Sequence, residues 1–187
     1  MKAIRWNISA GAILLYALLY FLDGCGIVSA VVPAAAVHEL GHILALRLCG
    51  SRMTGFGLSL TGAQLDYAPH VEGPRAVICF LSGPLAGILY AFAACTFGGT
   101  FWRMSGAASF LLSVFNLLPI LPLDGGRIAA ELLPRGTARR ISLAAALLLL
   151  SGGIALWVRF SSWALLPAGA WLVMSNLRGL RQPSTDE

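Results

Sequence analysis

His38, Glu39 and His42 fall within one pentapeptide, His38-Glu39-Leu40-Gly41-His42, inside an apolar run from Ile27 to Leu48. On a helix, positions i and i+4 share a face, so both imidazoles can grip one metal ion with a carboxylate beside them. This HExxH spacing fits metal-assisted hydrolysis: the imidazoles hold zinc, and the acid takes a proton from a water that the metal activates. The surrounding run is long enough to cross a bilayer, which takes about 20 mostly apolar residues. Ionisable groups at that depth are costly and usually functional. Water-activating chemistry is thus predicted where little water should be.

A catalytic zinc site needs a third protein ligand and an open position. Asp23 lies at the opposite membrane face, Asp66, His70 and Glu72 fall in a cytoplasmic loop region, and Asp186 and Glu187 are C-terminal. Asp124 and Glu131 remain. Asp124 is the better placed, following Pro119 and Pro122 and preceding Gly125-Gly126. Proline removes a backbone donor and breaks a helix, and paired glycines permit turns closed to other residues. Non-helical backbone at membrane depth is tolerated only inside protein or along a wet cavity, so a broken helix carrying an acid predicts a polar cavity. At 1.5 Å rise per residue, His42 and His38 would lie roughly 9 and 15 Å from the cytoplasmic end of their helix, a depth Asp124 can share.

The elements that must position these groups follow from composition. Of 187 residues, 58% are hydrophobic and 11% charged, with a mean hydropathy of +0.80. A soluble domain of this size could not hide that much apolar surface, so an all-α integral membrane protein is expected. Six spans can be read: roughly Ile4 to Leu22, Ile27 to Leu48, Ala76 to Phe97, Ser105 to Leu121 (broken by its prolines), Ile141 to Val158, and Ser162 to Asn176. The N-terminal stretch, Lys2 and Arg5 before Ile8 to Leu22, lacks a small-residue cleavage site and is expected to be a retained helix rather than a signal peptide. With the N-terminus cytoplasmic, eleven Lys and Arg fall on that side and only Arg103 and Arg159 on the other. That asymmetry predicts a multi-pass cell-membrane protein with both termini and the active-site opening on the cytoplasmic side. Residues 1–181 read as a single transmembrane domain and 182–187 as a short polar cytoplasmic tail. The excess of 13 Lys+Arg over 8 Asp+Glu sits at the ends of apolar runs without interleaved aromatics, which excludes a nucleic-acid partner and points to anchoring in the lipid bilayer. Cys25, Cys49, Cys79 and Cys95 show no CxxC spacing and read as small buried thiols. Between the second and third spans, Phe56, Leu58 and Leu60, then Leu65 and Tyr67, alternate with small or polar residues around Thr61-Gly62. This period of two predicts a short membrane-associated β-hairpin rather than an irregular interfacial loop.

The pentapeptide together with Asn116-Leu117-Leu118-Pro119-Ile120-Leu121-Pro122-Leu123-Asp124-Gly125-Gly126-Arg127 resembles the site-2 protease family (peptidase family M50) of intramembrane zinc metalloproteases. The second stretch is similar to that family's NxxPxxxLDGGR pattern, and Ser82-Gly83-Pro84-Leu85-Ala86-Gly87 to its small-residue Gly-Pro segment. The resemblance covers about Ile27 to Glu131. It implies that His38, His42 and Asp124 hold one zinc ion and that Glu39 acts as general base, then as acid towards the leaving amine. Asn116 matches a position that contacts substrate or the developing oxyanion; a helix-packing amide is the other reading. Arg127 reads as a partner of Glu131 or an interface anchor, and Gly83 and Pro84 as close helix packing. The hairpin resembles the family's membrane-associated sheet, with Gly55 to Leu60 as the edge that would hold an unwound substrate by strand addition.

The expected function is therefore cleavage of transmembrane or membrane-proximal bonds in membrane-protein substrates. The compact architecture, without PDZ or CBS modules, resembles the sporulation-type branch, whose members process a precursor transcription factor under control of membrane partners. Two other classes compete. A catalytically silent binder of membrane proteins would not need Glu39. A divalent-metal transporter would need ligands at several depths, whereas these gather at one.

Overall fold

A computed structural model describes residues 5–9, 20–21, 23–24, 26–59 and 62–181. The chain divides into two compact units, with the boundary in sequence between Val114 and Phe115. Six helices lie among the described residues, with a small sheet in the first unit. The protein is thus mostly helical rather than all-α.

In the first unit, helix α1 spans Ile27–Leu48. Its N-terminus is tied down by the Asp23 carboxylate, which accepts the Val28 N–H at 2.6 Å. Its C-terminus is a Schellman motif: Ser51 N–H reaches the Leu46 carbonyl, Gly50 N–H reaches that of Arg47, and Gly50 takes a φ of +83°. A left-handed residue at this position favours glycine, and the motif turns the chain out of the helix. Strands β1 (Arg5–Ile8), β2 (Arg52–Ser59) and β3 (Gly62–Ala68) follow the order β1-β2-β3. β2 and β3 pair antiparallel with Phe56 opposite Leu65 and Ser59 opposite Gly62, and a register shift falls between Met53 and Gly55. The hairpin is therefore present. The turn residues Leu60 and Thr61 lie outside the described residues.

β1 is a departure from the sequence reading. The first expected span, Ile4 to Leu22, lies mostly outside the described residues, but Arg5–Ile8 forms a strand parallel to β2, with Trp6 beside Phe56. Short aromatic and β-branched stretches suit a pleated pairing, and here the partner edge comes from far along the chain. As a consequence β2 is the central strand. The edge from Gly55 to Leu60 expected to receive a substrate strand is taken by β1 from Gly55 to Leu58.

Helix α2 (Pro74–Phe97) and all but the last two residues of helix α3 (Thr100–Asn116) complete the unit. α2 and α3 associate through small residues and hydroxyls, as helices do where lipid supplies no hydrophobic drive. Ser109 donates to the Gly87 carbonyl at 2.8 Å, and Tyr90 and Ser105 share a hydrogen bond of 2.8 Å. A Cβ on Gly106 would come 3.0 Å from the Ala91 carbonyl. On α1, Leu40, Leu44 and Leu48, spaced one turn apart, are 59, 61 and 80% exposed. An apolar stripe so open suits lipid, not water.

The second unit holds α4 (Asp124–Leu132), α5 (Arg135–Phe160) and α6 (Leu166–Arg181). Ile120, Leu123, Ala146 and Leu172 form its buried core. α5 and α6 approach closely where a Cβ on Gly169 would lie 3.0 Å from Leu150 Cα. Among the described residues three helices, α1, α2 and α5, are long and apolar enough to cross a membrane. The helices matching the expected fourth and sixth spans have 17 and 16 residues. The fourth ends at Asn116 rather than Leu121, because Leu118 precedes proline, which disfavours the helical conformation there.

Candidate metal centre

α1 carries His38, Glu39 and His42 on consecutive turns. His38 is 4% exposed, and Glu39 and His42 are half-buried. The Nε2 atoms of the two histidines lie 3.2 Å apart, with the rings edge to face at 81°. His42 Nδ1 is 2.8 Å from the carbonyl of Cys79 on α2. A carbonyl can only accept, so Nδ1 carries the proton and Nε2 presents its lone pair. An outer hydrogen bond of this kind fixes the tautomer that ligates metal. Two imidazole nitrogens bound to one tetrahedral zinc at about 2.0–2.1 Å would stand roughly 3.3 Å apart. The observed pair fits that requirement without rearrangement.

α2 is shaped around this ring. The Cys79 carbonyl also accepts from the Ser82 hydroxyl at 2.7 Å. A Cβ on Gly83 would fall 2.2 Å from His42 Nε2 and 2.5 Å from Cε1. Gly83 therefore leaves the space that the imidazole fills, a more specific task than the helix packing read from sequence. Gly41 brings the helices together, since a Cβ there would sit 2.6 Å from the Ser82 carbonyl.

Asp124 belongs to the second unit, where it is buried as the first residue of α4. Gly125 and Gly126 do not adopt left-handed backbone. They are helical, and their role is close approach: a Cβ on Gly125 would lie 2.1 Å from the Leu117 carbonyl, and one on Gly126 2.4 Å from the Ile120 carbonyl carbon. Asn116 is the last residue of α3 and half-buried. Arg127 donates from Nε to the Pro122 carbonyl at 3.1 Å, bracing the turn before its own helix.

Two further polar residues, Ser142 and Asn176, hold this segment. Ser142 on α5 accepts the Leu121 N–H at 2.7 Å and donates to Asn176 Oδ1. Asn176 on α6 donates to the carbonyls of Leu121 and Leu172, each at 2.8 Å. Their only sequence signal is a polar side chain within an apolar span.

The chain is similar to several known proteins. The family profile of peptidase family M50 matches residues 81–160, which include Gly83, Asn116 and Asp124. Rip3 of Mycobacterium tuberculosis, a protein named as a zinc metalloprotease, is 27% identical over 188 residues in each of two strains, covering 81% of this chain and 47% of the relative. The chain thus spans about half the length of these curated relatives. A solved structure, the site-2 protease from Methanocaldococcus jannaschii, shares the fold with a TM-score of 0.66 at 17% identity, over 100% of this chain and 96% of that one. The chain is thus similar to peptidase family M50 over residues 81–160 and shares the fold of a solved site-2 protease.

Proposed function

We propose that this protein is an intramembrane zinc endopeptidase that cleaves transmembrane or membrane-proximal bonds of membrane-protein substrates. The convergence of His38 and His42 Nε2 at 3.2 Å, with His42 Nδ1 locked to the Cys79 carbonyl, carries the reading. His38, His42 and Asp124 would hold one zinc ion: two imidazoles and a carboxylate are a catalytic donor set that leaves a position open. Zinc held there would lower the pKa of water and polarise the scissile carbonyl. Glu39, next to His38 on α1, takes the proton of the attacking water and returns it to the leaving amine. Asn116, at the end of α3, supplies an amide for the substrate carbonyl or its oxyanion.

A multi-pass arrangement with both termini cytoplasmic is supported by the eleven-to-two distribution of basic residues. It brings water to the site from the cytoplasm and the substrate from the lipid. A peptide must leave its helix to be cut, and with β2 central, the outer edge of β3 is where an unwound strand would add. Membrane partners that regulate the protease, and a precursor transcription factor as substrate, are the specialised form of this activity. The test is co-expression with tagged candidate substrates, comparing wild type with Glu39→Gln. The variant should retain zinc and lose cleavage; equal cleavage by both would overturn the assignment. Zinc movement across proteoliposomes with no peptide cut would favour transport, and zinc binding with neither would favour a silent binder.

A further inference from the structure

The segment from Leu117 to Leu123 is non-helical and includes Pro119 and Pro122, which have no N–H to donate. Such backbone at membrane depth must find its hydrogen bonds within the protein. The N–H of Leu118 goes to the Phe115 carbonyl, that of Ile120 to Leu118, and that of Leu123 to Ile120. Leu121 differs: side chains serve both of its backbone groups, its N–H bonding to Ser142 Oγ at 2.7 Å and its carbonyl to Asn176 Nδ2 at 2.8 Å. Ser142 is 1% exposed and also bonds Asn176 Oδ1. The Leu121 and Leu172 carbonyls can only accept, so they fix the orientation of the Asn176 amide, whose two donors and one acceptor are all used.

We propose that Asn176, with Ser142, is a positioning residue for the metal ligand Asp124, acting through Leu121. The inference rests on the metalloprotease reading above. Two residues, Pro122 and Leu123, separate Leu121 from Asp124, and little in them can absorb a shift. Pro122 has a fixed φ. Leu123 N–H is tied back to Ile120 at 2.8 Å. Gly126 presses on the backbone of Ile120 and Leu121, where a Cβ would come within 2.4 Å of the Leu121 nitrogen. α5 and α6 thus set the turn that delivers Asp124, although neither supplies a ligand. A network with every group satisfied holds one geometry, and removing one member leaves buried backbone groups unpaired.

The experiment uses purified full-length protein in detergent. Zinc affinity is measured by competition with a chelator, and the thermal midpoint of the metal-free protein is followed separately. Asn176→Ala is expected to weaken zinc binding about tenfold, the low end of the roughly 10–100-fold that outer partners of metal ligands command. Ser142→Ala leaves both amide donors of Asn176 in place and should fold, with a loss of about threefold. The double variant should be no worse than Asn176→Ala, because both act on Leu121. Ser105→Ala, an equally buried serine bonded to Tyr90, should lower the midpoint and leave zinc affinity unchanged. If Asn176→Ala and Ser142→Ala lower only the midpoint, with zinc affinity as in wild type, the positioning role is overturned and the metalloprotease reading stands. If Asp124→Asn itself leaves zinc affinity unchanged, the ligand assignment falls and takes the positioning role with it.

Discussion

Gly83→Ala is the sharpest test of how α2 serves the histidines. The added Cβ would lie 2.2 Å from His42 Nε2, whereas a carbon in van der Waals contact needs about 3.5 Å. Some 1.3 Å must therefore be found. The ring cannot swing aside without losing Nδ1 to the Cys79 carbonyl, one turn earlier on the same helix. Nor can α2 retreat freely, because α1 and α2 touch at Gly41 and Ser82. A ligand misplaced by about 1 Å costs on the order of 100-fold, or roughly 2.8 kcal/mol. Zinc affinity, read by chelator competition, should fall by about that factor, and cleavage with it. The metal-free thermal midpoint separates this from general misfolding. Gly83→Ala should lower the midpoint in the wild-type background but have little effect in His42→Ala, where the ring it strikes is gone. Zinc binding within about threefold of wild type, or an equal loss of stability in both backgrounds, would refute the assignment of Gly83 to the imidazole.

Other substitutions probe neighbouring features. Gly125→Ala places a Cβ 2.1 Å from the Leu117 carbonyl, backbone against backbone, and should cost at least about 3 kcal/mol or abolish folding, read from expression and thermal midpoint. Gly152→Ala, on α5 with nothing within 4 Å, should leave zinc affinity unchanged and stabilise by up to about 1 kcal/mol. Ser109→Ala removes a buried bond to the Gly87 carbonyl and should cost about 0.6 kcal/mol, the scale of such bonds between membrane helices, measured by unfolding in detergent. Dialysis against a chelator should abolish cleavage, and stoichiometric zinc should restore it; activity that survives full zinc removal would exclude the metal mechanism.

What the sequence discloses depends on how local the cause is. The Ile27–Leu48 helix is visible as an apolar run because lipid demands one, and its histidines fall together because i and i+4 always share a face. The β2–β3 hairpin is visible because its period of two is carried by neighbours in the chain. β1 is not, since four residues acquire their conformation from a strand more than forty positions away. Gly125-Gly126 stands out as a pair, but composition cannot tell a glycine that needs unusual backbone from one that needs room. Here it is room, and the backbone is ordinary helix. Gly83 is the same case, its demand set by a ring on another helix.

Asn176 shows why such demands escape a reading by residue type. Its principal partner is the backbone of Leu121, 55 positions away, and a backbone group has no letter of its own. The need becomes visible only when hydrogen bonds are counted along the broken segment: two prolines and a non-helical path leave Leu121 without a main-chain partner for its N–H. A polar residue in an apolar helix is expensive unless it answers a need of this kind. The same reasoning applies to Ser82, whose hydroxyl shares the Cys79 carbonyl with His42. In both places a hydroxyl or amide on a membrane helix holds a stretch of backbone, and that backbone in turn either fixes a histidine or leads into the acid. Polar groups on these helices are thus placed by what the neighbouring backbone cannot supply for itself.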